Sequence, residues 1–205
     1  VRVFMEESEE DSKGHRVNKL GHALHELDPD FRDFSFQQGL ADIAKDIGFA
    51  EPGLLQSMYI FKQPKIGGAV NVHQDCAFLY TEPLSATGFW FAMQDATLEN
   101  GCMWALPGGH NETLRARFFR NGKGGTDFET LDDRPLPEDN YVPLPVSAGT
   151  LILLHGQLPH YSEANRSTQP RQAYTIHVFV QQAQYAADNW LQRPPSMPLK
   201  NFLGQ

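Results

Sequence analysis

His73 and Asp75 stand two residues apart in "NVHQDCAF", Asn71 to Phe78, a run with the character of a strand entering a core. Side chains of a strand alternate between faces, so residues i and i+2 share one. The imidazole and the carboxylate are therefore expected together on one face, with Gln74 on the other. Such a pair can hold a metal ion. Two histidines and one carboxylate, with open positions opposite, are the donor set of non-haem Fe(II) oxygenases, and the third donor must come from elsewhere. The sequence has eight histidines: His15, His22, His25, His73, His110, His155, His160 and His177. His22 and His25 fall in a stretch of helical pattern and read as structural or surface residues. His110 follows Gly108-Gly109 at a turn, His155 and His160 follow the strand-like "GTLILLHG", and His177 lies inside "AYTIHVF". Spacing alone does not choose among them.

Chemistry narrows the search. An oxygenase of this type needs a two-electron co-substrate, commonly 2-oxoglutarate, whose keto-acid end chelates the iron and whose far carboxylate needs a buried cation. Arginine suits that place, because its planar fork binds a carboxylate bidentately and keeps its charge. Arg171 opens the strand-like "QAYTIHVFV", and "PHYSEANRSTQPR" leads to it from His160. Ser162, two residues beyond His160, can share its face and add a hydroxyl donor. An H-x-D triplet alone is common by chance, and a lone strand arginine is ordinarily a surface ion pair. Triplet, distal histidine and arginine together point to a metal site.

These residues need β elements to position them. "LLQSMYIFKQP", "AVNVHQDCAFLY", "TGFWFAMQDA", "CMWALPG", "GTLILLHG" and "QAYTIHVFVQQ" are short, rich in aromatic and β-branched residues, and bounded by Gly, Pro or Asn, as strands are. Asn100-Gly101 predicts a two-residue hairpin turn between "DATLE" and "CMWAL". Residues 1–6 alternate like a strand, and Glu7–Arg16 reads as a charged loop. Lys19–Ile47 shows apolar residues three and four apart, which predicts two helices split at Pro29 and stopped near Gly48. From Asn111 to Pro145 the chain is polar and reads as a long excursion, of which 111–140 is expected to be an insertion or lid. Helices first and then six or more strands suggest a sandwich or closed barrel, the jelly roll being one candidate.

Composition sets the outer bounds. The 205 residues suggest one domain, and 40% hydrophobic with 20% charged residues is an ordinary globular balance. A net charge of −8 argues against a general nucleic-acid binder. No run of 18 apolar residues exists to make a membrane-spanning helix. Two cysteines, Cys76 and Cys102, form no disulfide framework, which suggests an intracellular, cytoplasmic setting. Oligomeric state cannot be read. Val1 opens a strand already under way, so residues are expected to precede it in the natural protein.

Taken together, "SMYIFKQP", "HQDCAFLYTEPL", "DATLENGCMWALPGGH" and the pattern H-x-S-x-x-N-x-S-x-x-x-R from His160 to Arg171 resemble the phytanoyl-CoA dioxygenase family. "NKLGHALH", "RQAYT" and "DNWLQ" extend the likeness from about Asn18 to Leu191. The resemblance implies a mainly β chain with flanking helices around a double-stranded β-helix, jelly-roll core, with Fe(II), 2-oxoglutarate and O2 as cofactor and co-substrates. It also implies a single oxygenase domain over 1–205 that lacks the family's N-terminal helical part. It places His160 rather than His155 beside His73 and Asp75 as metal ligand, because Arg171 follows His160 at the family spacing. Arg171 and Ser162 take the co-substrate carboxylate positions, and Lys19, Met58, Gln74 and Trp90 fall at positions lining that pocket. Two departures stand out: Gly109 replaces a serine before His110, and Cys76 follows Asp75.

The expected activity is Fe(II)- and 2-oxoglutarate-dependent hydroxylation of a small, anionic or acyl-type substrate, with succinate and CO2 as co-products. The rival readings are a sensor that binds iron and 2-oxoglutarate without turnover, and a zinc hydrolase using the same three ligands. Arg115, Arg117, Arg120 and Lys123 in "RARFFRNGKGG" form a basic patch that could meet an anionic substrate.

Overall fold

The computed structural model describes residues 1–6 and 17–202; the expected charged loop Glu7–Arg16, with His15, lies outside them. Strand β1 (Arg2–Met5) and β2 (Val17–His22) lead into three short helices, α1 (Leu24–Leu27), α2 (Pro29–Ser35) and α3 (Gln38–Asp46). The long β3 (Pro52–Lys62) follows, then β4 (Val70–His73), the single-turn helix α4 (Asp75–Phe78), β5 (Thr81–Glu82), β6 (Thr87–Ala92) and β7 (Met103–Ala105). A hairpin of β8 (Ala116–Arg120) and β9 (Thr126–Thr130) occupies the middle of the polar excursion, before β10 (Val142–Leu144). The last strands are β11 (Leu151–His155), β12 (His160–Ser162), β13 (Arg171–Val180), β14 (Gln184–Tyr185) and β15 (Lys200–Asn201).

Two antiparallel sheets make the core of the jelly roll. The major sheet runs β1-β2-β3-β13-β6-β11, with β15 also on β3, and the minor sheet runs β10-β7-β12-β4. Alternation on β13 divides its side chains cleanly. Tyr174, Ile176 and Val178 point outward into an apolar cluster with Leu40, Ala41 and Ala44 of α3. Arg171, Thr175 and His177 point inward, into a cavity shared with the minor sheet. The helices thus cap one face of the sheet and leave the other for chemistry. Phe34 of α2 meets Phe91 edge-on at 4.9 Å, and Ser35 Oγ lies 2.7 Å from the Tyr174 hydroxyl. On β3 the pairing skips a residue: His177 faces Gln56 and Val178 faces Leu54. The extra residue, Leu55, is a bulge, which re-aims the strand so that Leu54 packs under the helices while Gln56 looks inward.

Several expected boundaries differ. Lys19–His22 belongs to strand β2, paired with β3, and not to a helix; its pairing with a neighbour overrides its local pattern. Pro29 does mark a break, as the first residue of α2, whose N–H groups at Asp30 and Phe31 are capped by Asp28. Asn100-Gly101 closes no β6–β7 hairpin. Cys102 N–H bonds to Thr97 O at 2.8 Å and Asn100 Oδ1 accepts from Thr97 N–H, so the segment folds into a side-chain-braced turn that carries the chain from the major to the minor sheet. The strand expected through "VHQDCAFLY" ends at His73. Asp75 starts a helical turn, held by Cys76 N–H donating to Gly156 O at 2.8 Å and Leu79 N–H to Asp75 O at 3.0 Å. Gly156 is required there: a Cβ on it would meet Ala86 O at 2.2 Å and Cys76 Sγ at 2.4 Å.

His25, at 0% exposure beside Ser57 Oγ (2.8 Å), shows one cost of this packing. Burial, then Arg193 and Lys200, lower its pKa to about 3. The unfolded chain takes up a proton there near pH 6.5 while the folded chain does not. Stability from this group is therefore complete above about pH 6.5 and declines as pH falls toward 3. Urea melts across that window should show the decline, and His25→Asn should flatten it.

Candidate metal centre and co-substrate cavity

His73 ends β4 and His160 opens β12, and the two are direct partners across the ladder. Their rings lie 4.3 Å apart. Each ring donates Nδ1–H to the carbonyl two residues back, His73 to Asn71 O at 2.8 Å and His160 to Leu158 O at 2.9 Å. That fixes the tautomer and turns both Nε2 lone pairs toward Asp75. Asp75 Oδ1 lies 3.7 Å from His73 Nε2 and 3.9 Å from His160 Nε2, too far for hydrogen bonds. Donor atoms from all three fall within 4.8 Å of one another. The donor set and its spacing fit a shared divalent ion, and two imidazoles with one carboxylate match iron of the non-haem oxygenase type. His155 ends β11 and meets His110 at a ring distance of 5.8 Å, apart from the cluster.

Electrostatics agree. Burial and the neighbouring His160 depress His73 to about 4, so its ring is a neutral donor at physiological pH. Burial alone would raise the Asp75 carboxyl, but the facing imidazoles of His177 and His160 and a hydrogen bond from His177 hold it well below the usual carboxylate range. Burial first, then Asp75, pushes the adjacent Cys76 thiol up to about 12, so it stays a packed thiol and no thiolate forms.

Beside the cluster is a cavity of about 140 Å³, lined by residues of both sheets. Lys19, Met58, Trp90, Ser162 and Arg171 all line it. Arg171 is only 2% exposed. Its Nε and Nη2 donate to Gly101 O at 3.1 and 3.0 Å, its Nη2 is 3.5 Å from Ser162 Oγ, and its guanidinium lies 5.5 Å from the Trp90 ring centroid. Among the described residues no carboxylate forms an ion pair with it. Burial lowers its pKa to about 10. A buried, unneutralised guanidinium is expensive unless an anion completes it. A dicarboxylate such as 2-oxoglutarate fits that demand.

Gln74 is placed otherwise. Its amide donates to Gln157 O at 2.8 Å and Thr113 O at 3.2 Å and accepts from Arg115 N–H at 3.1 Å. The side chain is spent on anchoring the start of the 111–140 segment and does not line the cavity. Alternation had pointed it away from the metal, and the structure keeps it there. Two cavity residues, Lys62 and Glu6, went unremarked in the sequence, and a third, His177, was noted only as one of the candidate histidines. Lys62, 3% exposed, donates to Gly68 O and Glu163 O, and burial with Arg171 lowers its pKa to about 7. Glu6 accepts from Asn18 Nδ2 at 2.9 Å. His177 shares strand parity with Arg171, and that was the readable signal: once Arg171 faces the cavity, a regular β13 sends His177 inward too.

A family model described as Phytanoyl-CoA dioxygenase (PhyH) matches residues 1–173. A "Phytanoyl-CoA dioxygenase" of Arabidopsis thaliana is 47% identical over 181 residues, covering 86% of this chain and 62% of the relative, so the chain spans less than two thirds of that protein's length. "Phytanoyl-CoA dioxygenase domain-containing protein 1" of Bos taurus is 43% identical over 211 residues, covering 97% of this chain and 72% of the relative. Among solved structures, the non-heme alpha ketoglutarate dependent carbocyclase SnoK from nogalamycin biosynthesis superposes with a TM-score of 0.70 at 23% identity, covering 88% of this chain and 74% of that one. EctD from S. alaskensis with 2-oxoglutarate and 5-hydroxyectoine gives 0.69 at 19% identity, covering 93% and 64%. At these identities the structures establish the shared jelly-roll fold.

Arg171→Met removes a buried charge that no carboxylate neutralises. Its melting temperature should hold or rise, while affinity for 2-oxoglutarate, measured by calorimetry, falls about 10- to 100-fold. A large loss of stability with unchanged affinity would contradict the assignment.

Proposed function

The chain belongs to the phytanoyl-CoA dioxygenase family, and on that footing we propose that it is an Fe(II)- and 2-oxoglutarate-dependent dioxygenase hydroxylating a small, acyl-type substrate. The observation that carries the reading is the pairing, in one cavity, of a three-donor cluster with a buried arginine lacking a counter-anion. When bound, iron with 2-oxoglutarate and O2 supplies the oxidising chemistry, with succinate and CO2 as co-products. His73, Asp75 and His160 would hold the iron. Arg171 offers its fork, and Ser162 its hydroxyl, to the far carboxylate of the co-substrate. Trp90 flanks the guanidinium, and Met58 and Ile60 give the cavity an apolar wall that limits water. A zinc hydrolase built on the same donors would leave Arg171 and Ser162 without a role.

The surroundings of His73 favour the acyl-type reading over the anionic one. Arg115 is held by Glu112 at 2.6 Å and Asp132 at 2.9 Å, Arg117 by Asp188, and Arg120 Nε by Trp190 O at 2.9 Å. These three arginines are already spent. The Phe78 ring lies 6.1 Å from His73 and meets Phe118 at 5.6 Å and Phe128 at 5.9 Å. Phe128 remains 58% exposed on the hairpin β8–β9. An apolar chain laid on these rings would reach the donor cluster.

Incubation with Fe(II), 2-oxoglutarate and O2 should yield succinate without a prime substrate, and His73→Ala and Arg171→Ala should abolish it. Binding of 2-oxoglutarate without succinate would support the sensor reading; no binding at all would remove both. With acyl-chain compounds added, Phe118→Ala should weaken their stimulation of succinate formation several-fold, while Arg120→Gln should respond as the unmodified chain does. The reverse ranking would restore the anionic substrate.

A further inference from the structure

Asp75 has two carboxylate oxygens with different neighbours. Oδ1 faces the two candidate metal-ligating imidazoles, whereas Oδ2 lies 3.2 Å from His177 Nε2. The contact continues inward. His177 Nδ1 is 3.2 Å from Gln56 Nε2, and Gln56 Oε1 is 2.7 Å from His22 Nδ1. The chain of groups crosses three neighbouring strands, β13, β3 and β2. It ends at the His22 ring, wedged edge-on between Phe4 at 5.3 Å and Trp190 at 4.9 Å.

Every proton in this chain is dictated from its anionic end. An ionised Asp75 accepts only, so His177 Nε2 must carry the hydrogen. With its hydrogen on Nε2, His177 presents a bare Nδ1 lone pair to the Gln56 NH2, which lies 3.2 Å away. The Gln56 carbonyl oxygen is thereby turned to His22, which must donate from Nδ1. His22 Nε2 is left as a bare acceptor, and it is indeed buried without a hydrogen-bond partner. The opposite ordering would set the His177 Nε2 lone pair against the Asp75 carboxylate.

Two independent features make room for the arrangement. Gly88 of β6 pairs with His177, and a Cβ there would stand 3.2 Å from Asp75 Oδ2 and 3.4 Å from His177 Nε2. Alternation on β3 sets Gln56 on the cavity face with Met58 and Ile60, and the bulge at Leu55 turns only Leu54 beyond it to the other face.

We propose that His177, Gln56 and His22 form a positioning relay that holds Asp75 with Oδ2 occupied and Oδ1 free, so that the carboxylate gives the metal a single, oriented oxygen. The relay fixes the carboxylate as the carbonyls of Asn71 and Leu158 fix the two imidazoles, and it ties that ligand to Trp190 in the C-terminal segment. It rests on the metal reading of the His73, Asp75 and His160 cluster.

Co(II) titration of the chain without 2-oxoglutarate, followed by its visible absorption, tests the relay apart from turnover. His177→Leu should raise the Co(II) dissociation constant about 10- to 100-fold and shift the absorption band. His177→Gln, whose amide N–H can reach the same oxygen, should recover most of the affinity. Gln56→Met should show a smaller loss in the same direction, and it serves in place of His177→Leu if that variant does not fold. Unchanged affinity in His177→Leu, or in Gln56→Met where that stands in, overturns the relay. Equal losses in His177→Leu and His177→Gln do so too, since they mark packing and not hydrogen bonding. If His73→Ala binds Co(II) as tightly as the unmodified chain, the metal reading itself falls; if it alone loses binding, only the relay does.

Discussion

Asp75 is an anion largely withdrawn from water, and three imidazoles face it. A buried carboxylate is tolerable only when charge or hydrogen bonds surround it. That constraint explains features far from Asp75 in sequence. The minor sheet pairs His73 with His160 so that both lone pairs converge on it. The major sheet supplies His177 from β13, and Gly88 on β6 leaves the space in which His177 reaches it. The helical turn that begins at Asp75 is docked by Cys76 N–H on Gly156 O. Each of these is a local concession in packing that serves one charge.

The far end of the cavity carries the opposite imbalance. Arg171 and Lys62 are both buried, and their cationic heads rest on carbonyls of Gly101, Gly68 and Glu163. Burial with Arg171 lowers the Lys62 pKa to about 7, and carbonyl dipoles soften but do not neutralise the charge of Arg171, so that end keeps an appetite for an anion. The anionic end and the cationic end lie in one cavity between the sheets. A ligand that chelates at one end and carries a carboxylate at the other satisfies both. The surface arginines of the β8–β9 hairpin show the contrast: already matched by acids or carbonyls, they exert little pull on an outside anion.

Much of the site was legible in one dimension. His73 and Asp75 share a neighbourhood by spacing, and the twelve residues from His160 to Arg171 carry two ends of the cavity. The main strands were readable from β-branched and aromatic runs because both faces of β3, β6 and β13 are covered. Where neighbouring strands or sheets decide the state, the reading failed. Lys19–His22 is helical in pattern but becomes strand β2 because β1 and β3 offer it ladders. Asn100-Gly101 has hairpin residues, yet its turn joins two different sheets.

The sequence by itself determined which chemistry was available: a His-x-Asp pair, a distal histidine, a buried-type arginine and the β pattern to carry them. Side-chain type and short spacing suffice for that. Tertiary structure alone decided how the parts meet. Strand alternation predicted that His73 and Asp75 meet, but the strand stops at His73 and it is a helical turn that presents the carboxylate. His160 lies beside His73, and His155 apart from it, because a ladder joins β12 to β4 across 86 intervening residues. Gln74 was committed to the 111–115 segment, and His22, Gln56 and His177 became one line of hydrogen bonds. Such contacts depend on register between strands distant in sequence, and register is set by bulges and by the packing of whole faces.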